Sequence, residues 1–497
     1  MAAHEIYAQP YKMSTSDSTV YKPLVKDIPP EIGPSQNRPI TTWFLYFAAI
    51  TSNLAQLTIG LMGAWMSPVT EQILSTNIDA NPLGKPVTIL QLSLIGASQP
   101  AGSVIGPLLI AKFYDIFGRK PTLLCLCLIM TSSLILLSFS STIYLYIPLL
   151  FIVGLCTGAL NVGFPVYVGE ITEDHNRSRF TCLVQTGLPI GMMLSFLTGP
   201  YLSVKYYTLI CAIPVALNAI FFATILPESP VQLIKFKLLR QAQDVLGRLR
   251  QKSPKDVEIE VIRIYDELAI TSNRKQGGCT KMLSDKSARN GFIVAIVTFN
   301  ILVLSGSQSM TSYLQPIFDK AESPIPSNIC ALLVTIVQII CYFASSVIVE
   351  KVGKRNLILF STSTSIIPLT LFAVYFQLKY SGYNFVEQYT WFPVVALVVF
   401  TTVNNIGHGS VPIAFMNDLF INQVKAIAVS SIVLSFGILN ALVTFGIPLI
   451  METVGIQWCF WIFAGNCVLG TIFVYFLVPE TTNKSIAEIQ DLLKKLI

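Results

Sequence analysis

The feature that most constrains this chain is a series of long apolar runs separated by short polar loops. A helix needs about 20 apolar residues to cross a hydrocarbon core of about 30 Å. Of the 497 residues, 53% are hydrophobic and 12% charged, against roughly 25% charged in a soluble domain. The sequence therefore predicts an all-α membrane protein with twelve transmembrane helices, at about 43–67, 89–111, 121–140, 145–169, 179–202, 205–226, 290–318, 327–349, 357–376, 391–417, 427–450 and 456–478.

The distribution of Lys and Arg predicts how these helices are oriented. If both termini are cytosolic, the outer loops contain only four of the 33 basic residues, namely Lys85, Lys205, Lys320 and Lys379. Positive charge resists translocation, so this asymmetry predicts that both termini lie on the cytosolic side of a cell membrane. The net charge of +6 is interpreted as this topology signal, and no nucleic-acid partner is predicted.

The polar segments divide the chain into five regions. A polar, Pro- and Ser-rich tail is predicted to be disordered, and amphipathic stripes in the central segment predict short cytosolic helices between the two halves. The regions are a cytosolic tail at 1–40, a six-helix bundle at 41–226, a helical linker at 227–289, a second six-helix bundle at 290–478 and a cytosolic tail at 479–497.

The two halves repeat in sequence at three places. The segment 115–120 (DIFGRK) follows the second apolar run, and 350–355 (EKVGKR) follows the eighth. An acid and a base lie seven residues apart after the fourth run (Glu170, Arg177) and after the tenth (Asp418, Lys425), and Pro-Glu ends both halves at 227–228 and 479–480. A six-plus-six parallel repeat predicts two bundles with a solute site between them.

Carboxylates at the ends of the helices are predicted to pair with basic residues of neighbouring helices. Such pairs would hold the cytosolic ends together until the inner gate opens; the alternative is that the charges only anchor loops at the membrane surface. The predicted gating residues are Asp115, Arg119, Glu170, Arg177, Glu228, Glu350, Arg355, Asp418, Lys425 and Glu480.

These motifs resemble the major facilitator superfamily, and within it the sugar porter family. The resemblance covers roughly residues 40–490 and includes the loop motifs, PVYVGE at 165–170, PESP at 227–230, the Gly407-x-Gly409-x-x-Pro412 run and the closing Pro-Glu-Thr at 479–481. It implies the major facilitator fold and a sugar or polyol as the solute. It also implies that the polar residues Gln185, Gln308, Gln338 and Asn440 bind that solute, although amides within membranes also join neighbouring helices.

The chain departs from the family pattern at several sugar-binding positions. The expected glutamine pair of the seventh run is Leu302 and Val303, and the expected tryptophans of the tenth and eleventh runs are Ile413 and Gly437. The resemblance therefore supports the scaffold more strongly than it supports any one sugar.

Function is predicted from the ionisable residues that the apolar runs lack. Between their charged ends the runs contain no Asp or Glu, and proton-coupled carriers need a titratable group at membrane depth. The prediction is a facilitative carrier with the lipid bilayer around it, no cofactor, no metal, no obligate protein partner and no enzymatic activity. His408 is interpreted as a packing residue, with a proton relay as the alternative, and a transporter-like receptor that no longer transports is the alternative function.

Overall fold

The computed structural model describes residues 43–495 apart from 78–80, 174–175, 254–256, 274–281, 283, 384–387, 409–410, 421, 483 and 485. The tail predicted at 1–40 lies outside the described residues. Within the described part the regular secondary structure is entirely helical. Each of the twelve predicted apolar runs overlaps at least one helix of the described residues, and the count of twelve crossings stays a prediction.

The helices of the first half and the linker are α1 (Trp43–Gly63), α2 (Met66–Leu74), α3 (Ile89–Phe117), α4 (Arg119–Phe139), α5 (Ile143–Ile171), α6 (Arg177–Gln185), α7 (Gly187–Thr198), α8 (Val204–Thr224), α9 (Pro230–Lys235), α10 (Leu239–Arg250) and α11 (Glu258–Asn273). The second half contains α12 (Lys286–Leu304), α13 (Ser307–Ser312), α14 (Leu314–Ala321), α15 (Ser327–Val352), α16 (Lys354–Tyr380), α17 (Phe392–His408), α18 (Val411–Leu419), α19 (Asn422–Ile450), α20 (Ile456–Leu477) and α21 (Ile486–Lys495).

Eight helical segments of the described residues are long and apolar enough to cross a membrane. One of them, Ile427–Leu477, covers two of the predicted runs. Two further apolar helices, Ser327–Cys341 and Phe392–His408, are shorter, and the run 179–202 is divided between α6 and α7. The chain is therefore a multi-pass membrane protein.

The linker helices pack on the first half through one buried arginine. The apolar stripes of α9, α10 and α11 form a small core that includes Leu233, Leu246 and Val261. Arg250, with a side chain that is 3% exposed, forms ion pairs with Glu173 and Glu260 and donates to the carbonyl of Ile171 over 2.8 Å. That carbonyl belongs to the last turn of α5, where carbonyls lack helical partners, so Arg250 fixes α10 to the end of α5.

Candidate solute site and charged rim

The first cluster of charged residues joins α4, α5 and α9. Arg119, at the start of α4, donates from Nε and Nη2 to the Glu170 carboxylate over 2.8–3.2 Å. Its Nη1 atom donates to Gln232 over 2.7 Å, and Ser229 also donates to Glu170. The Arg119 and Glu170 side chains are only 8% and 12% exposed. This is a buried, multiply hydrogen-bonded ion pair. Removing either partner of such a pair leaves the other as an uncompensated buried charge.

The first Pro-Glu motif completes this cluster. Glu228 accepts hydrogen bonds from the backbone N–H groups of Arg119 and Lys120 over 3.0–3.2 Å. These N–H groups open α4, where a carboxylate is favoured by the helix dipole. Gly118 precedes them with a φ of 99°, and a Cβ atom there would lie 2.6 Å from the Glu228 carboxylate. Only glycine suits this position.

The second half builds the same arrangement from the repeated residues. Lys354, at the start of α16, pairs with Asp418 at the end of α18. Glu480 accepts from the backbone N–H groups of Lys354 and Arg355 over 3.2 Å each, and Gly353 has a φ of 91°. We call Arg119, Glu170, Glu228, Lys354, Asp418 and Glu480 together the charged rim. Residues from three separate sequence repeats thus contact one another in a single cluster in each half.

Two predicted gating residues, Arg355 and Asp115, direct their side chains to partners outside the charged rim. Arg355 donates from Nη2 to the carbonyl of Tyr475 over 2.7 Å, and it is the preceding residue, Lys354, that pairs with Asp418. Lys354 was not among the predicted gating residues. Asp115 lies 3.6 Å from Lys235, and both side chains are well exposed, so this pair contributes little.

The ion pairs of the charged rim each lie within one half of the chain. The side chains of Arg177, Glu350 and Lys425 are outside the described residues. A latch that joins the two halves through the predicted gating residues therefore stays a prediction.

The two rim glutamates have pKa values that are shifted in opposite directions. Burial raises the pKa of Glu228 above its ordinary value, against the hydrogen bonds from Ser229, Lys120 and Arg119 and the charge of Arg119. Burial alone would also raise the pKa of Glu480, but hydrogen bonds from Thr482, Lys354 and Arg355 outweigh it and lower the pKa below the ordinary value.

These shifts predict opposite pH dependences of stability. A lowered pKa adds stability above the ordinary value of 4.5, and this is lost as the pH falls through the pKa in the folded protein. A raised pKa adds stability below 4.5, which is lost as the pH rises through the folded-state pKa. Thermal unfolding from pH 7 to pH 4 should show the advantage of the unmodified protein over Glu480→Gln shrinking below 4.5. The stability advantage of the unmodified protein over Glu228→Gln should grow as the pH falls towards 4.5. Parallel pH profiles for the two variants would contradict the opposite pKa shifts of the two glutamates.

Gln185 lies at a break between two helices. The helix α6 ends at Gln185, and α7 begins at Gly187. Asn53 of α1 donates to the carbonyl of Leu183 and to Thr186 Oγ1 over 2.8 and 3.0 Å, and so replaces a helical hydrogen bond at the break. A Cβ atom at Gly187 would lie 2.0 Å from Asn53 Oδ1. The Gln185 side chain is exposed.

A second break between helices lies in the other half of the chain. The Leu-Ser-Gly motif ends α12, and Gly306 has a φ of 80° with its Cα against the ring of Phe463. Asn404 of α17 donates to Ser305 Oγ over 3.3 Å. The short helix α13 starts from this break and carries Ser307, Gln308 and Thr311, and Gln308 is exposed.

A pocket of the described residues lies among α13, α15 and α17. The non-atom space between its lining residues is about 300 Å³, and this figure includes open solvent. Its polar lining comes from hydroxyl and amide side chains, and its apolar lining includes Phe400 and Leu397. The polar lining residues are Ser307, Thr311, Gln338, Thr401 and Asn405. The predicted ligand Gln338 thus lies beside Thr401 and Asn405, two residues that the sequence interpretation missed.

Asn440 lies on α19 beside α13 and outside this pocket's lining. Ser309 contacts Asn440 Oδ1 at 3.5 Å and Thr444 Oγ1 at 3.2 Å. The structure therefore brings Gln338 together with the α13 hydroxyl groups and places Asn440 on the other face of α13. The binding roles of Gln185, Gln308, Gln338 and Asn440 stay predictions.

Several buried polar atoms of the described residues have no hydrogen-bond partner. Both amide atoms of Gln56, Oδ1 of Asn161 and of Asn404, and both ring nitrogens of His408 are of this kind. Gln56 and His408 are at most 1% exposed. The signal that could have found Gln56 and Asn161 is the one that identified Gln185, an amide at membrane depth. A bound water or another conformation would supply the missing hydrogen bonds.

Comparison with known proteins decides the family. The family described as "Sugar (and other) transporter" matches residues 43–493, which is nearly all of the described chain. The chain belongs to this sugar transporter family. Membership confirms the resemblance to sugar porters of the major facilitator superfamily, and the transporters among its relatives agree with the expectation that the chain is not an enzyme.

Two curated relatives of this chain show the degree of similarity. It is 26% identical over 453 residues to the facilitated trehalose transporter Tret1 of Anopheles gambiae, covering 91% of this chain and 56% of that protein. It is 24% identical to Tret1 of Bombyx mori over 92% of this chain and 88% of that protein. The chain thus spans little more than half of the mosquito relative and most of the silkworm one.

Solved structures show the same fold as this chain. The inward-open conformation of the xylose transporter XylE from E. coli superposes with a TM-score of 0.75 at 16% identity, over 90% of this chain and 99% of that one. The partially occluded inward-open conformation of XylE gives a TM-score of 0.72. At this identity the likeness shows the fold alone.

Proposed function

We propose that this sugar transporter is a facilitative carrier that moves a neutral sugar by alternating access, with trehalose as the first candidate. In this proposal twelve spanning helices form two six-helix bundles in the cell membrane, with both termini cytosolic. The single observation that supports it best is the pocket at α13, α15 and α17. Its polar lining is neutral and consists of groups that both donate and accept hydrogen bonds, as sugar hydroxyl groups do.

The contacts between the halves support alternating access with the predicted outer side closed. Gln315 donates its backbone N–H to Ser67 over 3.0 Å, and Asn328 donates to Tyr201 over 2.9 Å. These four residues lie at the ends of the helices opposite to the charged rim. The rim pairs, by contrast, each stay within one half, which is the arrangement expected of an inward-facing carrier.

The absence of acidic residues within the predicted runs supports uniport. A proton-coupled carrier needs a group that binds and releases a proton along the solute path, and the predicted runs offer no carboxylate. The trehalose proposal rests on the relatives named above. A receptor without transport is not favoured, since those relatives are named as transporters.

Uptake by the purified protein in vesicles tests this proposal. Radiolabelled trehalose, glucose and xylose should be compared at equal gradients, and at least one should enter saturably until its concentrations are equal. A protonophore should leave the initial rate unchanged. Loss of uptake with the protonophore, at a fixed sugar gradient, would overturn uniport and bring His408 forward. Failure to carry any sugar of the panel would instead favour the receptor.

A further inference from the structure

Glycine at position 437, where sugar porters are expected to have tryptophan, lies against the other half of the chain. A Cβ atom at Gly437 of α19 would lie 2.6 Å from Val104 Cγ2, 3.4 Å from its Cβ and 3.5 Å from its Cα. Non-bonded carbon atoms pack at about 3.5–4.0 Å. A side chain at position 437 therefore requires Val104 to leave its rotamer or α3 and α19 to move apart.

Further along the same two helices, Tyr313 from the loop between α13 and α14 bridges them. A Cβ atom at Gly96 of α3 would lie 2.0 Å from the hydroxyl oxygen of Tyr313, and this hydroxyl group donates to the carbonyl of Thr444 on α19 over 3.4 Å. Position 96 thus matches 444, and 104 matches 437, so the two helices run antiparallel. We call this contact between the halves the α3–α19 seam. Asn440 lies on α19 between its two contact points.

The helix α3 packs closely against α5 on the side opposite to the seam. Gly102 and Gly106 lie against the carbonyls of Phe151 and Leu155 of α5, where Cβ atoms would come within 2.0 and 2.2 Å. Gly154 and Gly158 of α5 meet carbonyls of α3 at similar distances. Small residues of this kind let two membrane helices pack backbone to backbone. The α3–α5 pair is therefore packed backbone to backbone, and we expect strain at position 437 to fall on the seam.

We propose that Val104 and Gly437 are a size-matched pair that lets the α3–α19 seam close beside Asn440 and part when the carrier changes state. Val104 lies where the first atoms of a tryptophan side chain at position 437 would be. The inference rests on the alternating access proposed above, because only a carrier with two states needs a seam that parts.

Size exchange tests the pair. Overpacking a close contact typically costs enough to shift an equilibrium about tenfold, so Gly437→Ala should lower initial sugar uptake by about tenfold at normal surface amounts. Val104→Ala combined with Gly437→Ala should recover it to within about twofold. Gly446→Ala on the same helix is the matched control, since no described heavy atom lies within 4 Å of a Cβ there. Unchanged uptake in Gly437→Ala, or no recovery in the double variant, would overturn the inference.

Cysteine cross-linking tests the contact without any sugar. The 3.4 Å between the Cβ positions is close to the range of about 3.5–4.5 Å found in disulfides. Oxidation of V104C/G437C in membranes should yield a linked peptide pair by mass spectrometry, whereas V104C/G446C and the two single-cysteine variants should not. Absence of the link would refute the contact, whatever the protein carries. If the link forms but the unmodified protein carries no sugar, the contact stands and the proposed function fails.

The cross-linked protein also tests whether the seam has to part. For a sugar that the unmodified protein carries, oxidation of V104C/G437C should abolish uptake, and a reducing agent should restore it. Full uptake by the oxidised variant would show that Val104 and Gly437 stay together throughout the cycle, and the proposed role in closing the path would be wrong.

Discussion

Replacing Glu170 with glutamine is expected to lower the free energy of unfolding by about 3–5 kcal/mol, which is typical when one partner of a buried ion pair is removed. The variant leaves the Arg119 guanidinium, 8% exposed, without its carboxylate. Gln232 still accepts one hydrogen bond from Arg119, but the neutral amides of Gln232 and of a glutamine at position 170 do not balance the positive charge of the guanidinium. Thermal unfolding of the purified protein in detergent measures the loss.

The repeat supplies a matched control for Glu170→Gln. Asp418 occupies the equivalent position in the second half, but the Lys354 and Asp418 side chains are 18% and 31% exposed. Water can therefore solvate the lysine that Asp418→Asn leaves unpaired, and the expected loss is about 1 kcal/mol or less. Equal losses in the two variants would show that burial does not govern the rim pairs. A shift of Glu170→Gln towards another conformation, seen as altered protease accessibility, would in addition support the predicted latch.

Replacing Gln185 with leucine is expected to lower uptake at low sugar concentration by about one to two decades. The substitution nearly keeps the side-chain volume but removes both the donor and the acceptor. Sugar hydroxyl groups left without partners cost roughly 1–3 kcal/mol, and each 1.4 kcal/mol is about tenfold in affinity. Initial rates should be measured with whichever sugar the unmodified protein carries, at equal amounts of protein in the membrane.

Thr198→Val is the control for this experiment. Thr198 lies on α7 of the same divided run and uses its hydroxyl group for a bond to its own helix, at the Leu194 carbonyl. Its replacement should change uptake by less than about twofold. If Gln185→Leu behaves like this control for a sugar that is demonstrably carried, Gln185 is not a ligand, and the pocket around Gln338 becomes the better candidate for the whole site.

Features that depend on residues near one another in the chain could be predicted from the sequence alone. Apolar runs predict helices because a spanning segment must satisfy its own backbone and bury no charge. The amphipathic stripes of the linker predict α10 and α11, which occur where the stripes do. The repeated Pro-Glu and Gly-basic motifs were also visible, because each is a local arrangement of a helix end with its glycine and its charge.

Only the tertiary structure decided which of these groups meet. Lys354 and Arg355 are neighbours in sequence, but successive residues of a helix point about 100° apart, so spacing alone could not show that Lys354 faces Asp418 while Arg355 turns to the Tyr475 carbonyl. Gly437 appeared in the sequence only as a missing tryptophan. Its surroundings come from Val104, in the other half of the chain, and the space at a contact between distant segments is set by how whole helices pack.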